Sequence, residues 1–510
     1  MRTFVRARFR LAVFATLLLV SGVVTALGAC GSDSAARAAA TASRPNIVVF
    51  MTDDETVAEL RGMPNTRALL ERRGVRFDRS YVSYPVCCPS RATYLTGQYA
   101  HNHGVMGLYP PTGGYGRFDK RNALPVWLHN AGYHTAHLGK FLNGYGDQEA
   151  ADVPPGWSDW HATVDYSTYK MWGYTMNDNG RMHTYGRTFE ENPRLYQTDV
   201  LAGKAAAIVK RQAGRPEPLF LSLNFLAPHH EARSIQRKTH WLVRPAPRHR
   251  HAFASAPLAR TASFNEADMS DKPRFLRRHT HPLTRADIGA IQRDARARRA
   301  ALLAADDGVK RVVNAVRRAG ELDNTYFIFT SDNGYMQGEH RVRSGKMLPY
   351  EPSTRVPLII RGPGIPARRV SRELVANIDL APTILQLAGA TASKQVDGRS
   401  LLPFAHDPTR RTKRAILHET GGQRYVGPAE QDERTNARRP MKRVLTYHAI
   451  RTSRWLYVRW HDGSRELYDL RTDPDELRSL HAGRAHRHVR HVLARRLHVL
   501  ASCAGDSCRR

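Results

Sequence analysis

Two acidic pairs stand directly after apolar runs. Asp53-Asp54 follows Asn46-Ile47-Val48-Val49-Phe50-Met51, and Asp332-Asn333 follows Tyr326-Phe327-Ile328-Phe329-Thr330. Three carboxylates and an amide oxygen are hard ligands, suited to one Ca²⁺ or Mg²⁺ ion rather than to zinc, which favours nitrogen and sulfur. Clustered without a cation, the acids would repel one another and raise each other's pKa. Taken singly, either pair could merely cap the next helix or turn. Another group is Cys87-Cys88-Pro89-Ser90-Arg91-Ala92-Thr93-Tyr94-Leu95-Thr96-Gly97. Pro89 suits the first turn of a helix and Gly97 its end. Cys87 is then expected by a helix N-terminus, where free amides and the dipole favour an anion. Arg91, one turn on, can reach back toward it. The thiol reads either as a low-pKa nucleophile or as a buried structural cysteine. Cys87 and Cys88 are not expected to pair, because a disulfide needs converging side chains and Cα atoms roughly 4.4–6.8 Å apart.

The elements that must hold these residues share one grammar. Besides the two runs above, His134 to Leu138 ends in Gly139-Lys140, and Leu219 to Phe225 leads to Pro228-His229. Helical patterns lie between the runs, notably Val200 to Gln212 and Ala286 to Arg318. Buried strands alternating with helices indicate an α/β domain with a mostly parallel sheet flanked by helices. Ligands of such sheets bind beyond the carboxyl ends of the strands, which is where Asp53, Lys140, His229 and Asp332 fall. Residues 230–281, rich in His, Arg and Pro, break the pattern and are expected as a long surface excursion beside His229. After Pro403 the texture changes. Arg410-Arg411 reads as a linker, Trp455 to Val458 with Glu466 to Leu470 as an antiparallel hairpin, and His486 to Leu500 as a closing amphipathic helix.

With these motifs in order, the chain resembles the sulfatase family. Cys87-x-Pro89-Ser90-Arg91 and then Leu95-Thr96-Gly97 is similar to the signature whose cysteine a separate formylglycine-generating enzyme oxidises before folding. Asn46-Ile47-Val48 leading to Asp53-Asp54, Gly139-Lys140, Ala227-Pro228-His229, Thr330 to Gly334 and Ser344-Gly345-Lys346 extend the likeness from Pro45 to about Leu480. The resemblance implies an alkaline-phosphatase-like α/β domain with a smaller C-terminal antiparallel sheet and helix. It implies formylglycine at Cys87, which as a hydrated diol attacks sulfur and expels an alcohol. It matches Asp53, Asp54, Asp332 and Asn333 to the metal ligands, with the modified Cys87 also on the metal. Arg91 and Lys140 match groups that steady the diol and sulfate charge, His229 the leaving-group proton donor and Lys346 a sulfate contact. His103, in His101-Asn102-His103-Gly104, matches a recurrent family position, with a surface loop as its plain alternative. One departure stands out. Many sulfatases carry a histidine two residues past the lysine, where this chain has Leu142. The Lys140-x-Leu142-Asn143 form, with Cys87-Cys88-Pro89 and Ser263-Phe264-Asn265-Glu266, looks more like the N-acetylglucosamine-6-sulfatase and heparan endosulfatase branch. His101, His103 or a residue near Asn143 then stands in for the missing imidazole. A sulfated carbohydrate or other sulfate ester is the expected partner, 6-O-sulfated glucosamine foremost. A broad arylsulfatase, a phosphate mono- or diesterase of the same superfold, and a silent polyanion-binding lipoprotein are the alternatives.

Composition sets the compartment. Arg2, Arg6, Arg8 and Arg10 precede an apolar stretch from Leu11 to Val24, and Leu27-Gly28-Ala29-Cys30 resembles a bacterial lipobox. Residues 1–29 are thus expected as a lipoprotein signal peptide and 30–44 as a flexible tether. A catalytic domain is expected over 45–405 and a C-terminal subdomain over 411–510. The protein is expected to be exported and held by Cys30 on the outer face of the bacterial cell membrane, or secreted if the leader is a plain one. No later stretch approaches the ~20 apolar residues of a membrane span. Among the 5 cysteines, Cys503 and Cys508 could pair in an oxidising compartment. The net charge of +32 over 510 residues admits an acidic polymer, an anionic membrane or nucleic acid as partner. Its scattered arginines read first as compositional habit, and no nucleic-acid partner is expected.

Overall fold

Alternation along the central strands explains the layers. Ile47, Val49 and Met51 join one buried cluster with Phe220 and Ile328, whereas Val48 and Phe50 join another with Leu221, Phe327 and Phe329. A strand buried on both faces has no polar side, so it reads as a continuous apolar run. The computed structural model describes residues 44–187, 192–235, 238–421 and 446–509. The expected leader, most of the tether and Cys30 lie outside them. Pro45–Arg510 form one compact unit. Its strands, in chain order, are β1 (Asn46–Thr52), β2 (Val75–Tyr81), β3 (His134–Gly139), β4 (Asp159–Thr163), β5 (Tyr174–Asp178), β6 (Arg181–Tyr185), β7 (Leu219–Asn224), β8 (Glu231–Ile235), β9 (Lys238–Leu242), β10 (Thr325–Ser331), β11 (Leu358–Arg361), β12 (Arg369–Ala376), β13 (Ile416–Thr420), β14 (Tyr447–Arg451), β15 (Trp455–Trp460) and β16 (Arg465–Asp469).

The main sheet has the order β12-β2-β11-β10-β1-β7-β3-β4-β5-β6. Its centre, from β10 through β1, β7 and β3 to β4, is parallel throughout. Thr52 pairs with Ser331, Met51 with Asn224 and Gly139 with Asn224. The carboxyl ends of β10, β1, β7 and β3 are therefore level, and the loops leaving these strands emerge at one rim. Helices Gln197–Gln212 and Arg285–Arg318 cover one face through Leu201, Ala202, Val309 and Val312. Helices Cys87–Thr96 and Leu380–Ala388 cover the other through Cys87, Ala92, Leu95, Leu380 and Ile384.

β13 to β16 form a separate four-stranded antiparallel sheet. Helix Arg487–Leu500 seals it with Leu493, Leu497 and Leu500, in a core shared with Tyr81, Leu374 and Ile378 at the edge of the main sheet. Cys503 and Cys508 form a disulfide there, and Cys87 and Cys88 remain free and buried. From 242 to 281 most of the segment is exposed or half-buried, as a surface excursion should be, but it has structure of its own. It contains the β8–β9 hairpin and buries Arg244 against Glu231 and Lys272 against Glu266. These two cations go inside because each meets a carboxylate there. The segment also clamps the loop before Lys346, through Asn265 N–H to Gly338 O and His340 N–H to Ser263 O. Among the described residues, no helix is long and apolar enough to cross a membrane.

Candidate active site

The level strand ends bring the acidic pairs side by side. Asp54 turns the chain at a φ of 73°, and its N–H donates to Asp332 Oδ1 at 3.2 Å. Helix Cys87–Thr96 starts at Cys87, after Val86 in extended conformation, and stops at Gly97 in the left-handed conformation, as Pro89 and Gly97 indicate. The helix N-terminus thus delivers Cys87 to the rim. Arg91, one turn on, does not fold back on Cys87. Its Nε donates to Asp332 Oδ2 at 2.8 Å, and Nη2 lies 3.5 Å from Asp53 Oδ2.

Two lysines close the cluster. Lys140 Nζ lies 2.5 Å from Asp53 Oδ2. Lys346 Nζ lies 2.5 Å from Asp54 Oδ1 and 2.9 Å from Cys87 Sγ, while the thiol donates to Asp53 Oδ1 at 3.3 Å. His229 donates through Nδ1 to the His230 carbonyl at 2.8 Å, which leaves Nε2 facing Asp54 Oδ2 at 3.7 Å. None of the residues whose side chains build this cluster is more than 5% exposed.

Burial would raise every acid here, and the cations decide the outcome. For Asp53, Lys140, His229, Arg91 and Lys346 outweigh burial and hold the carboxyl below the usual range. Asp332 is raised, by burial first and by the charge of Asp53 second. Burial, then Asp53, pushes the Cys87 thiol well up. That removes the low-pKa thiol reading, because a thiol so raised is a poor nucleophile at neutral pH.

The cluster has the donors of a cation site. Asp53, Asp54, Cys87 and His229 each offer one ligand atom, all within 4.8 Å of one another. Asn333 Oδ1 is buried with no hydrogen-bond partner, although Nδ2 donates to Asp54 Oδ1. An orphaned amide oxygen among carboxylates is the kind of group that a bound cation satisfies.

His103 stands apart from this group. It is tied to Thr93 Oγ1 at 3.0 Å and to the Val105 N–H at 3.1 Å, and burial lowers its pKa to about 3. His101 bonds Glu419 and the Cys503 carbonyl. Leu142 is buried in the core. Its neighbour Asn143 donates to the Tyr169 hydroxyl at 2.7 Å, and the Tyr169 ring lies 4.6 Å from Lys140 Nζ and 5.0 Å from the His229 ring. Three more residues escape the sequence reading. Tyr169 sits in an irregular stretch with no motif. Arg298, buried in an arginine-rich helix, donates to the Asp54 carbonyl at 2.6 Å and to Glu59 at 2.7 Å. Asn224 accepts from Arg91 Nη1 at 3.4 Å. Of the three, only Asn224, last in its strand, carried a signal, by the strand-end rule.

Known proteins are similar to this chain. A sulfatase family model matches residues 45–390, and a model described as N-sulphoglucosamine sulphohydrolase, C-terminal, matches residues 338–502. The chain belongs to the sulfatase family. An arylsulfatase of Volvox carteri is 34% identical to this sulfatase over 93% of the chain and 77% of its own length. The human N-acetylglucosamine-6-sulfatase is 33% identical over 97% of the chain and 90% of its own length. A solved protein in complex with its substrate D-glucosamine-2-N,6-O-disulfate superposes with a TM-score of 0.71 at 23% identity, covering 89% of this chain and 97% of that one. The sulfatase is a sulfuric ester hydrolase on an alkaline-phosphatase-like fold.

Proposed function

We propose that this enzyme hydrolyses sulfate esters of sugars, with 6-O-sulfated glucosamine the leading substrate, and that position 87 acts as formylglycine. The observation that carries the chemistry is the place of Cys87. It lies at a helix N-terminus, within 3.3 Å of Asp53 and 2.9 Å of Lys346. Burial raises the thiol's own pKa, and its full burial supports oxidation by a separate enzyme before folding. Asp53, Asp54, Asp332 and Asn333 would hold one Ca²⁺ or Mg²⁺ ion, which when bound supplies positive charge for the nucleophile and the sulfate oxygens. Hydrated, residue 87 presents a hydroxyl to sulfur. The S–O bond to the sugar breaks as a new one forms, and Lys140, Lys346 and Arg91 balance the charge on the equatorial oxygens. His229 keeps one proton on Nδ1 because a carbonyl can only accept, so it is the imidazolium, with its second proton on Nε2 beside Asp54, that gives this second proton to the departing alcohol. The second hydroxyl of residue 87 then expels sulfate and restores the aldehyde.

The sugar reading is supported by the Lys140-x-Leu142-Asn143 form and by the glucosamine sulfatases to which the chain is similar. Peptide mapping of protein from its own host should find formylglycine at 87 and lipid on Cys30. Active enzyme with an unmodified Cys87, or a mature protein without lipid, would refute the respective claim. In converted protein, kcat/KM should be higher for a 6-O-sulfated glucosamine than for an aryl sulfate. The reverse order would favour an arylsulfatase instead.

A further inference from the structure

A cavity of about 350 Å³ lies in the C-terminal region and includes none of the active-site residues. Its walls come from Thr412 to Arg414, the β14–β15 turn at 452–455 and one side of helix Arg487–Leu500. Lys413, Arg414, Arg454, His488 and Arg496 line it, with Trp455, and no Asp or Glu does. Arg414 is neutralised by Asp379 and Arg454 by Asp469. Lys413 and Arg496 touch each other only through an Nη2 to backbone carbonyl contact at 3.4 Å, and no carboxylate balances either among the described residues.

Scattered arginine does not account for this. Helix Arg285–Arg318 is just as basic, but it also carries Asp287, Asp294, Asp306 and Asp307, and its buried Arg298 is paired with Glu59. Helix Arg487–Leu500 has arginines and histidines with no acid at all, and the facing segment from Arg410 to Arg414 has none either. Two acid-free basic segments meet across one concave site. Positive potential concentrates in such a recess and attracts polyanions. Arginine and lysine recognise sulfate by charge-assisted hydrogen bonds, and Trp455, whose ring the Arg454 guanidinium overlies at 4.6 Å, adds an apolar edge to the wall. The volume is at the lower end of the roughly 300–1,000 Å³ range of small-ligand sites.

We propose that this cavity is a second binding site for sulfated sugar, holding a chain while the active site works elsewhere on it. The identity of the anion rests on the proposed sugar substrate; the cavity and its charge do not. A membrane surface is the weaker occupant, because Leu493, Leu497 and Leu500 of the helix are buried against the sheet, and Val499 alone is too little apolar surface to hold the helix on lipid.

The test uses full-length protein with Cys87→Ala, so that binding is read without turnover. A sulfated glucosamine-containing oligosaccharide should bind this protein with an affinity that falls as salt rises. Adding Lys413→Glu and Arg496→Glu should weaken binding roughly tenfold or more, and Arg496→Lys should restore part of any loss caused by Arg496→Glu. In converted enzyme the double variant should keep kcat/KM for a small sulfate ester and lose it for the long chain. Unchanged oligosaccharide binding in the double variant overturns the proposal, as does binding confined to anionic phospholipid vesicles. If no sulfated sugar is turned over but the double variant still loses binding, the substrate reading fails and the cavity stands.

Discussion

Asp53 and Glu466 are both fully buried carboxylates, one just after β1 and one on β16, and their surroundings shift their pKa values in opposite directions. Asp53 faces Lys140, Arg91, Lys346 and His229, and stays ionised below the usual carboxylate range. Glu466 accepts from the Tyr350 and Tyr468 hydroxyls and from Trp460 Nε1 at 3.0–3.2 Å. Burial pushes it up to about 7 against the pull of Lys272 and these neutral donors. Burial costs both groups the same kind of penalty; the number of cations within reach decides which keeps its charge. The strand ends concentrate fixed charges of both signs, which suits a cation and a sulfate together. The C-terminal sheet surrounds its carboxylate with neutral donors, so burial prevails and the group holds its proton to higher pH.

Breaking the charged side should have the largest effect. Asp54→Asn removes the carboxylate that Lys346 and Asn333 share, so bound metal and turnover should fall together, by about 100-fold or more. Elemental analysis beside the assay checks this, and full activity in metal-free protein would show that the acids do not form a metal site. A middle effect is expected at the aromatic wall of the site. Tyr169→Leu removes the ring beside Lys140 and His229 and should lower kcat about tenfold with little change in KM. That equals ~1.4 kcal/mol, within the range for a desolvated cation–π contact. Tyr169→Phe keeps the ring, loses the Asn143 bond, and should retain most activity. Equal loss in both variants would shift the role from the ring to the hydroxyl.

The smallest effect tests the other half of the comparison. Because the folded pKa of Glu466 lies near 7, above its ordinary 4.5, its contribution to stability is complete below about pH 4.5. It is lost as pH rises through 7, by on the order of 1 kcal/mol per pH unit in that window. Glu466→Gln cannot ionise and should flatten that part of the curve in denaturant unfolding, with turnover of a small ester unchanged. A variant that still loses stability over the same window would place the titration elsewhere.

Much of this was legible in the chain. Apolar runs ending in Asp53-Asp54, Lys140, His229 and Asp332-Asn333 show strands whose exits carry chemistry, because alternating burial and strand-end placement are local properties. Pro89 and Gly97 bracket a helix for similar local reasons, and the structure starts and stops it there. Local pattern says nothing about which exits are neighbours. That depends on the strand order β10-β1-β7-β3 and on the pairing of Thr52 with Ser331, contacts between segments some 280 residues apart. The partners of buried charge were equally hidden. Arg91 turns to Asp332 rather than to Cys87, His103 to Thr93, and Lys272, in a segment that is mostly at the surface, turns inward to Glu266 of the same segment. Residue type and spacing determined which groups could do this chemistry. Tertiary structure decided which of them share one low-dielectric space, because a buried charge settles wherever the fold brings its counter-charge.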